Sequence, residues 1–193
     1  MGKRILIING HPDADPKRFC AALAEAYAGG AKAGGHEVRR LNVGALDFPL
    51  IRSRGAFEDT DPPPAIIEAQ EALTWAEHVV LVHPLWLGSA PAVLKGFFEQ
   101  TFRYGFAMPQ PGEGVPRGML SGRSARLVVT MGMPGPVYST IFGGFGVRAM
   151  QRGILGLAGF RPIRHDYVGQ VEGKAETRKS WLEKMAALGR QGL

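Results

Sequence analysis

Cysteine occurs once in the sequence, at Cys20, so no disulfide can form within the chain. Such sparse use of cysteine is typical of a reducing compartment, and we expect a cytoplasmic protein. Long apolar runs are also missing, since the run from Ile5 to Ile8 is far shorter than the roughly 20 residues of a spanning helix. We therefore expect no stable insertion into a membrane. The length of 193 residues and the 45% hydrophobic composition predict a single domain over residues 1–193.

Clustered basic charge is absent, although the formal net charge is +6. Lysine and arginine are scattered along the chain and form no basic helix face with interleaved aromatic residues, which argues against a nucleic-acid partner. The histidines are equally dispersed, and none stands at metal-ligand spacing from a cysteine or carboxylate, which predicts no metal site. The five histidines are His11, His36, His78, His83 and His165.

Several catalytic and nucleotide-binding motifs are missing as well. The loop after the first apolar run lacks G-x-G-x-x-G, and no G-x-x-x-x-G-K-[ST] occurs, which argues against a dinucleotide fingerprint and a P-loop. No G-x-S-x-G nucleophile elbow is present either, which argues against a hydrolase triad.

The chain does contain five short strand-like segments that alternate with helical patterns, and the first, third and fourth of them are mainly apolar. Contiguous β-branched runs of this kind are typical of strands buried on both faces. The alternation predicts an α/β fold, with a doubly wound five-stranded parallel sheet and helices on both faces. Two long irregular stretches, residues 44–64 and 103–122, interrupt the pattern. The strand segments span residues 4–8, 38–43, 79–82, 126–130 and 163–168, and a single helix is expected from about residue 145 to 157.

Three loops rich in glycine and proline follow the first, third and fourth strand segments. They span residues 9–16, 83–91 and 131–138. In a sheet of order 2-1-3-4-5 these loops lie side by side at the carboxyl edge, where open α/β sheets bind ligands. Their convergence predicts a ligand site at this edge.

The third-strand loop has a composition that suits a flat aromatic ligand. Trp86 and Leu87 offer apolar surface, and Gly88 allows a close approach of the backbone. A tight turn between strand and helix, with Trp86 in the core, is the alternative interpretation.

The first-strand loop leads into a helix whose amino end could hold a phosphate group through backbone N–H groups and the helix dipole. Lys17 and Arg18 could add positive charge there, or could simply be exposed residues of a first turn. His11 is a candidate ligand contact, with a structural hydrogen-bonded histidine as the alternative. Cys20 could have a lowered pKa at a helix start, although a small core residue or one beside the phosphate is favoured.

The chain resembles the flavodoxin-like NAD(P)H:quinone oxidoreductase family, which includes modulator-of-drug-activity-type flavoproteins. The resemblance covers most of the sequence in register and is most specific in the third-strand loop and the following helix. The segments that carry it are residues 9–12 with Phe19, residues 84–98, residues 130–132 with Tyr138, and Gly159 with Phe160.

The resemblance implies a flavoenzyme that transfers hydride from NAD(P)H to a quinone or similar small acceptor by a ping-pong mechanism. It implies FAD as the cofactor, with FMN possible, and Tyr138 as a catalytic hydrogen-bonding residue. By resemblance, the cofactor-binding residues are His11, Lys17, Arg18, Phe19, Cys20, Pro84, Leu85, Trp86, Leu87, Thr130, Met131, Gly132, Met133 and Tyr138.

Family members are commonly homodimers whose substrate slot is roofed by the partner subunit. The substrate-binding residues implied here are Trp86, Phe106 and Met108. Known quinone reductases of the family pair the tyrosine with a histidine six residues later, where this chain has Gly144, so a Tyr–His proton relay is not carried over. Cys20 likewise stands where asparagine is common in the family.

Two other functions are compatible with the resemblance. A flavin-binding regulatory subunit of a membrane transport system is the alternative to the enzyme, and nothing in the sequence separates the two. A one-electron carrier is disfavoured by the net charge of +6, since such carriers are typically acidic.

Overall fold

The computed structural model describes residues 2–58, 60–110, 112 and 118–193. Its centre is a five-stranded parallel sheet in the order β2-β1-β3-β4-β5. This confirms the predicted flavodoxin-like topology. The strands are β1 (Arg4–Asn9), β2 (Glu37–Asn42), β3 (His78–Pro84), β4 (Ser124–Thr130) and β5 (Ile163–Val168).

Seven α-helices flank the sheet in the described residues. They are α1 (Phe19–Ala33), α2 (Arg54–Glu58), α3 (Pro64–Trp75), α4 (Ala92–Thr101), α5 (Gly135–Thr140), α6 (Phe145–Ala149) and α7 (Ala175–Gln191). A 3-10 turn, Val43–Ala45, follows β2.

The structure differs from the sequence-based expectation in the helices after β2 and β4. Helix α2 lies inside a stretch predicted to be irregular, and α5 lies partly inside a predicted loop. The Gly135-Pro136 pair that suggested a loop instead opens α5, because proline is pre-organised for a first helical turn. The single helix expected from residue 145 to 157 is α6 followed by a π-helical segment, Met150–Leu155.

The core has two layers, one on each face of the sheet. Residues of α1 and α7 cover the face that carries Ile5 and Val80, while α3, α4 and α6 cover the face that carries Leu81. Every residue of β3 is buried, as expected of a central strand covered on both sides. At the sheet edge, β2 exposes Arg39 and Arg40, as an edge strand tolerates.

Helices α1 and α7 approach closely through two glycines. A Cβ atom on Gly30 would lie 2.0 Å from the carbonyl oxygen of Ala186, and one on Gly189 would lie 2.1 Å from that of Tyr27. The absence of side chains at these positions therefore sets the distance between the two helices.

None of the described helices is both long and apolar enough to cross a bilayer.

Candidate active site

Three loops begin together at the carboxyl edge of the sheet, as predicted. The Gly10 N–H donates to the Val82 carbonyl at 2.7 Å, which aligns the end of β1 with the end of β3. The Leu85 N–H donates to the Thr130 carbonyl at 2.7 Å, which aligns the end of β3 with that of β4. Backbone hydrogen bonds thus hold the three loop entrances in one row.

The first of these loops leads to an open amino end of α1. No side chain caps the helix, and its first turn contains no acidic residue. The first N–H groups of an α-helix have no partner within the helix, so an uncapped end with its positive dipole can bind an anion. Phe19 is half-buried at this end, next to the buried Cys20.

Aspartate side chains fold the remainder of this loop. Asp13 Oδ1 accepts from the Asp15 N–H at 2.9 Å, and Asp15 Oδ1 accepts from the Lys17 N–H at 2.9 Å. Arg18 Nε donates to Asp13 Oδ2 at 2.7 Å. The Asp15 N–H and the Arg18 guanidinium together hold the pKa of Asp13 below its usual value. Both predicted cations, Lys17 and Arg18, lie exposed at this end of the helix.

His11 connects the first loop to the loop after β3. Its Nδ1 accepts from the Asp13 N–H at 3.0 Å, and its backbone N–H donates to Asn9 Oδ1 at 3.2 Å. Its ring also meets the edge of Trp86 with the ring centroids 6.0 Å apart. His11 therefore has structural partners in the loop and also borders the predicted ring site.

The loop after β3 presents apolar side chains to solvent. Trp86 and Ser89 exchange backbone hydrogen bonds of 2.8 and 3.0 Å around a two-residue turn. The central residues, Leu87 with φ 47° and Gly88 with φ 79°, both lie in the left-handed region. Leu87 is fully exposed and Trp86 is 50% exposed, so the alternative that placed Trp86 in the core is wrong.

Behind this turn, Pro84 is buried and Leu85 is half-buried, and both belong to the segment predicted to line the ring. A non-glycine residue in the left-handed region is strained, and such strain clusters at ligand sites.

The loop after β4 combines buried side chains with an accessible backbone. Thr130 and Met131 are buried and Met133 is half-buried. Gly132 is exposed, and a Cβ atom built on it would meet nothing within 4 Å. A planar ligand could therefore approach the backbone at Gly132.

Cys20 is a core residue of this region. Its Sγ lies 3.3 Å from Thr130 Oγ1, which ties the start of α1 to the end of β4. Burial raises the pKa of the Cys20 thiol to about 11. The lowered pKa that a helix start could confer is therefore not realised, because desolvation of the thiolate outweighs the dipole.

Tyr138 is buried with its hydroxyl engaged. Its O–H donates to the Gly88 carbonyl at 3.0 Å, which joins α5 to the turn after β3. The Tyr167 ring packs against Tyr138 with the centroids 5.5 Å apart. Gly144, in place of the family histidine, has φ 60°, and a Cβ atom there would lie 3.0 Å from the Tyr167 hydroxyl. Tyr167 was not predicted, because nothing in the edge strand β5 marks one residue as facing a site.

Phe106 and Met108 line cavities that include none of the other predicted site residues. Met108 lines a cavity of about 210 Å³ with Phe98 of α4 and Phe102, and Phe106 lines a cavity of about 470 Å³ near Arg103. Both residues follow α4, whereas Trp86 precedes it. Their assignment to a substrate slot stays a prediction, since it depends on a partner subunit.

His83 is a further polar residue at this edge. It is buried at the end of β3, with Nδ1 2.9 Å from the Pro84 carbonyl oxygen, and its Nε2 has no hydrogen-bond partner in the described residues. Burial lowers the pKa of His83 to about 4.

The described residues include no group of three or more His, Cys, Asp or Glu side chains that could hold a metal ion.

Comparison with known proteins gives a family match over nearly the whole chain. The model of a family described as having a flavodoxin-like fold matches residues 3–190. The chain belongs to this flavodoxin-like family. NAD(P)H dehydrogenase (quinone) 1 of Rattus norvegicus is 25% identical over 212 residues, which cover 95% of this chain and 76% of the rat protein. The resemblance to NAD(P)H:quinone oxidoreductases is thereby confirmed.

Solved structures share the architecture of this flavodoxin-like chain. An NAD(P)H:quinone oxidoreductase from Methanothermobacter marburgensis superposes with a TM-score of 0.79 at 21% identity, with all of both chains covered. An FMN-dependent NADH-azoreductase from Bacillus anthracis in complex with FMN has a TM-score of 0.78 at 14% identity, with 99% of each chain covered. At these identities the likeness concerns the fold.

Proposed function

We propose that this protein is a flavin-dependent NAD(P)H oxidoreductase that reduces quinones or similar small acceptors. The observation that carries the proposal is the row of three loops at one sheet edge. It brings an uncapped helix start, an exposed Trp86–Leu87 surface and an accessible Gly132 backbone to the same place. Relatives named NAD(P)H dehydrogenase (quinone) 1 and ribosyldihydronicotinamide dehydrogenase (quinone) support the same class of activity.

The phosphate end of a flavin fits the start of α1. The backbone N–H groups of Phe19 and Cys20 and the helix dipole favour an anion, and no acidic side chain lies in the first turn. Arg18 is held by Asp13 in an exposed ion pair. Exposed pairs are weak, about 0–1 kcal/mol, so a phosphate dianion can compete for the Arg18 guanidinium.

The ring end of a flavin fits the other two loops. Trp86 and Leu87 supply apolar surface on the loop after β3, and the Gly132 backbone is open to a polar ring edge. A bound flavin supplies a ring that accepts hydride from a nicotinamide and passes it to a quinone. The chain orients this ring, and backbone N–H groups near Gly132 stabilise negative charge on its polar edge.

The donor and the acceptor would use the same opening in turn, which is the ping-pong scheme implied by the resemblance. Trp86 is the predicted substrate contact in this opening, and its half-exposed ring offers a stacking surface for either molecule. Steady-state rates measured at several concentrations of both substrates should give parallel double-reciprocal lines. Intersecting lines would instead indicate a ternary complex.

The identity of the flavin is tested by direct competition. FAD was favoured from the resemblance, whereas one structural neighbour is an FMN complex. Titration of the apoprotein with FMN, FAD and riboflavin, followed by flavin fluorescence, gives three dissociation constants. A phosphate site at α1 requires FMN to bind more tightly than riboflavin, and an adenine contact requires FAD to bind more tightly than FMN.

A charge variant links this affinity to the first loop. Replacing both Lys17 and Arg18 by alanine should weaken FMN binding by about thirtyfold, since two phosphate contacts of about 1 kcal/mol each are lost, and should leave riboflavin binding unchanged. A matched control replaces Lys32 at the opposite end of α1. Equal losses for FMN and riboflavin would place the phosphate elsewhere.

We further propose that the protein is a homodimer and is located in the cytoplasm. Several large apolar side chains are exposed close to the turn after β3, and apolar clusters of this kind mark interaction sites. Helix α6 packs on this turn, where a Cβ atom on Gly146 would lie 2.1 Å from the Gly88 carbonyl oxygen. Light scattering after size exclusion measures the mass directly. The exposed side chains are Leu87, Ile141, Phe142 and Phe145.

The activity is tested by the absorbance of the reconstituted protein under anaerobic conditions. NADPH or NADH should bleach the flavin band, and a quinone should restore it. A protein that binds neither FMN nor FAD would refute the proposal.

A further inference from the structure

Two tyrosines meet at the corner between the turn after β3 and helix α6. The Tyr138 and Tyr167 rings pack edge to face, and Gly144 lies beside both, with its N–H donating to the Tyr138 carbonyl at 3.0 Å. The turn that contains Gly88 lies at the same corner. The Tyr138 hydroxyl donates to the Gly88 carbonyl oxygen, and Gly146 packs against the same oxygen. The corner therefore borders the loop on which Trp86 and Leu87 are displayed.

The Tyr138 hydroxyl is already used in a hydrogen bond within the protein. Its only proton is donated to the Gly88 carbonyl, and the side chain is 2% exposed. A ligand that recruited this O–H would leave the Gly88 carbonyl without its donor. A bound ligand gains little from such an exchange, because one hydrogen bond replaces another.

The Tyr167 hydroxyl differs from that of Tyr138 in its hydrogen bonding. In the described part of the chain it forms no hydrogen bond, although the side chain is half-buried among Tyr138, His165 and the Gly135 backbone. Burial and the neighbouring Tyr138 raise the pKa of Tyr167, while Arg148 opposes this shift, so the phenol is protonated at neutral pH. Its O–H can therefore donate to a ligand oxygen without breaking a hydrogen bond within the described residues.

The absence of a side chain at Gly144 makes room for this phenol. A Cβ atom at Gly144 would lie 3.0 Å from the Tyr167 hydroxyl oxygen, which is closer than real Cβ atoms usually come to a neighbour. A side chain at position 144 would require the Tyr167 hydroxyl to shift by a few tenths of an ångström. The glycine and the tyrosine are thus geometrically linked.

We propose that Tyr167, rather than Tyr138, provides the phenolic O–H that donates to a carbonyl oxygen of the bound ligand at this corner. The inference rests on the proposed function, which supplies two sources of such an oxygen, the flavin ring and the quinone. Tyr138 then acts as a positioning residue that holds the Gly88 turn in place.

The test compares Tyr167→Phe with Tyr138→Phe, because each change removes one hydroxyl and keeps the ring. Dissociation constants are measured for FMN on the apoprotein and for duroquinone on the oxidised flavin-loaded protein. Loss of one hydrogen bond should weaken binding by about threefold to tenfold. A loss for FMN in Tyr167→Phe assigns the flavin oxygen, and a loss confined to duroquinone assigns the quinone oxygen.

Two results would overturn the inference. One is unchanged affinity of Tyr167→Phe for both ligands, and the other is a loss of affinity in Tyr138→Phe alone. Failure of the wild-type protein to bind flavin would refute the proposed function itself. Normal flavin binding by the wild type, with the same affinities in Tyr167→Phe, would refute only the role of Tyr167.

A second measurement follows the tyrosine hydroxyl groups in the wild-type chain, and the two variants serve only to assign the signals. The chain has four tyrosines, so 13Cζ-tyrosine NMR gives a short spectrum that the two variants assign. Addition of FMN and then duroquinone should shift the Tyr167 signal and leave the Tyr138 signal in place. The reverse pattern would overturn the assignment.

Discussion

The hydroxyl of Tyr138 donates to the carbonyl oxygen of Gly88 at 3.0 Å and so joins the helix after β4 to the turn after β3. The two central residues of the turn, Leu87 and Gly88, lie in the left-handed region. This hydrogen bond therefore fixes the position of the exposed Trp86–Leu87 surface relative to the sheet.

Replacing Tyr138 by phenylalanine should lower the free energy of unfolding by about 1 kcal/mol, because the Gly88 carbonyl loses its donor. For a chain of this size, the melting temperature should fall by about 2–4 °C. Differential scanning calorimetry measures the change. Tyr104→Phe is the matched control, since Tyr104 is exposed, and an equal fall in both variants would contradict the assignment.

Leu87→Asn should make the protein more stable and weaken its binding of flavin. Leucine in the left-handed region is strained, and asparagine tolerates this conformation, so Leu87→Asn should raise the free energy of unfolding by about 1 kcal/mol. The same variant should bind flavin less tightly, because apolar surface is lost at the ring site. Urea unfolding and fluorescence titration test the two effects. A variant that is stabilised and binds flavin normally would remove Leu87 from the site.

Neighbouring glycines in α1 should respond to alanine in opposite ways. At Gly30 a Cβ atom would collide with the Ala186 carbonyl at 2.0 Å, so Gly30→Ala should cost about 2 kcal/mol or more by forcing α7 away. At Gly29 nothing lies within 4 Å, so Gly29→Ala should stabilise the helix by about 0.5–1 kcal/mol. Urea unfolding of both variants measures the difference, and changes of the same sign would contradict the close packing of α1 and α7.

Two buried histidines should make stability depend on pH. Burial lowers the pKa values of His78 and His83 to about 4, below the unfolded value of about 6.5, so the unfolded chain binds more protons between pH 4 and pH 6.5. Stability is therefore fully present above pH 6.5 and falls as the pH is lowered, by about 1.4 kcal/mol per pH unit for each histidine. His83→Gln should lower the slope measured by urea unfolding by about 1.4 kcal/mol per pH unit. An unchanged slope would assign it to other groups.

The Cys20 thiol should be inert in the folded chain. Its pKa is raised to about 11 and the side chain is 2% exposed, so few molecules carry an accessible thiolate at pH 8. Iodoacetamide labelling followed by mass spectrometry should show slow modification of the native protein and rapid modification in urea. Fast labelling of the native protein would show that the start of α1 opens readily.

Much of the fold was predictable because its signals are local. The runs at β1, β3 and β4 are contiguous and apolar, as strands covered on both faces must be, and their loops are rich in glycine and proline. Once the strand order is 2-1-3-4-5, the convergence of these loops follows from topology alone. Helices α2 and α5 were missed, because short helices in stretches rich in proline and glycine have no clear periodicity.

The sequence by itself determined the strands, their carboxyl-edge loops and the residue types that those loops display. Only the tertiary structure decided which polar groups in those loops remain free to contact a ligand, because hydrogen bonding and burial depend on residues distant in the chain. Thr130 and desolvation make Cys20 a core thiol, Gly88 engages the hydroxyl of Tyr138, and the bare backbone of Gly144 leaves space for Tyr167. No spacing in the sequence encodes these contacts, because they join residues that are distant in the chain.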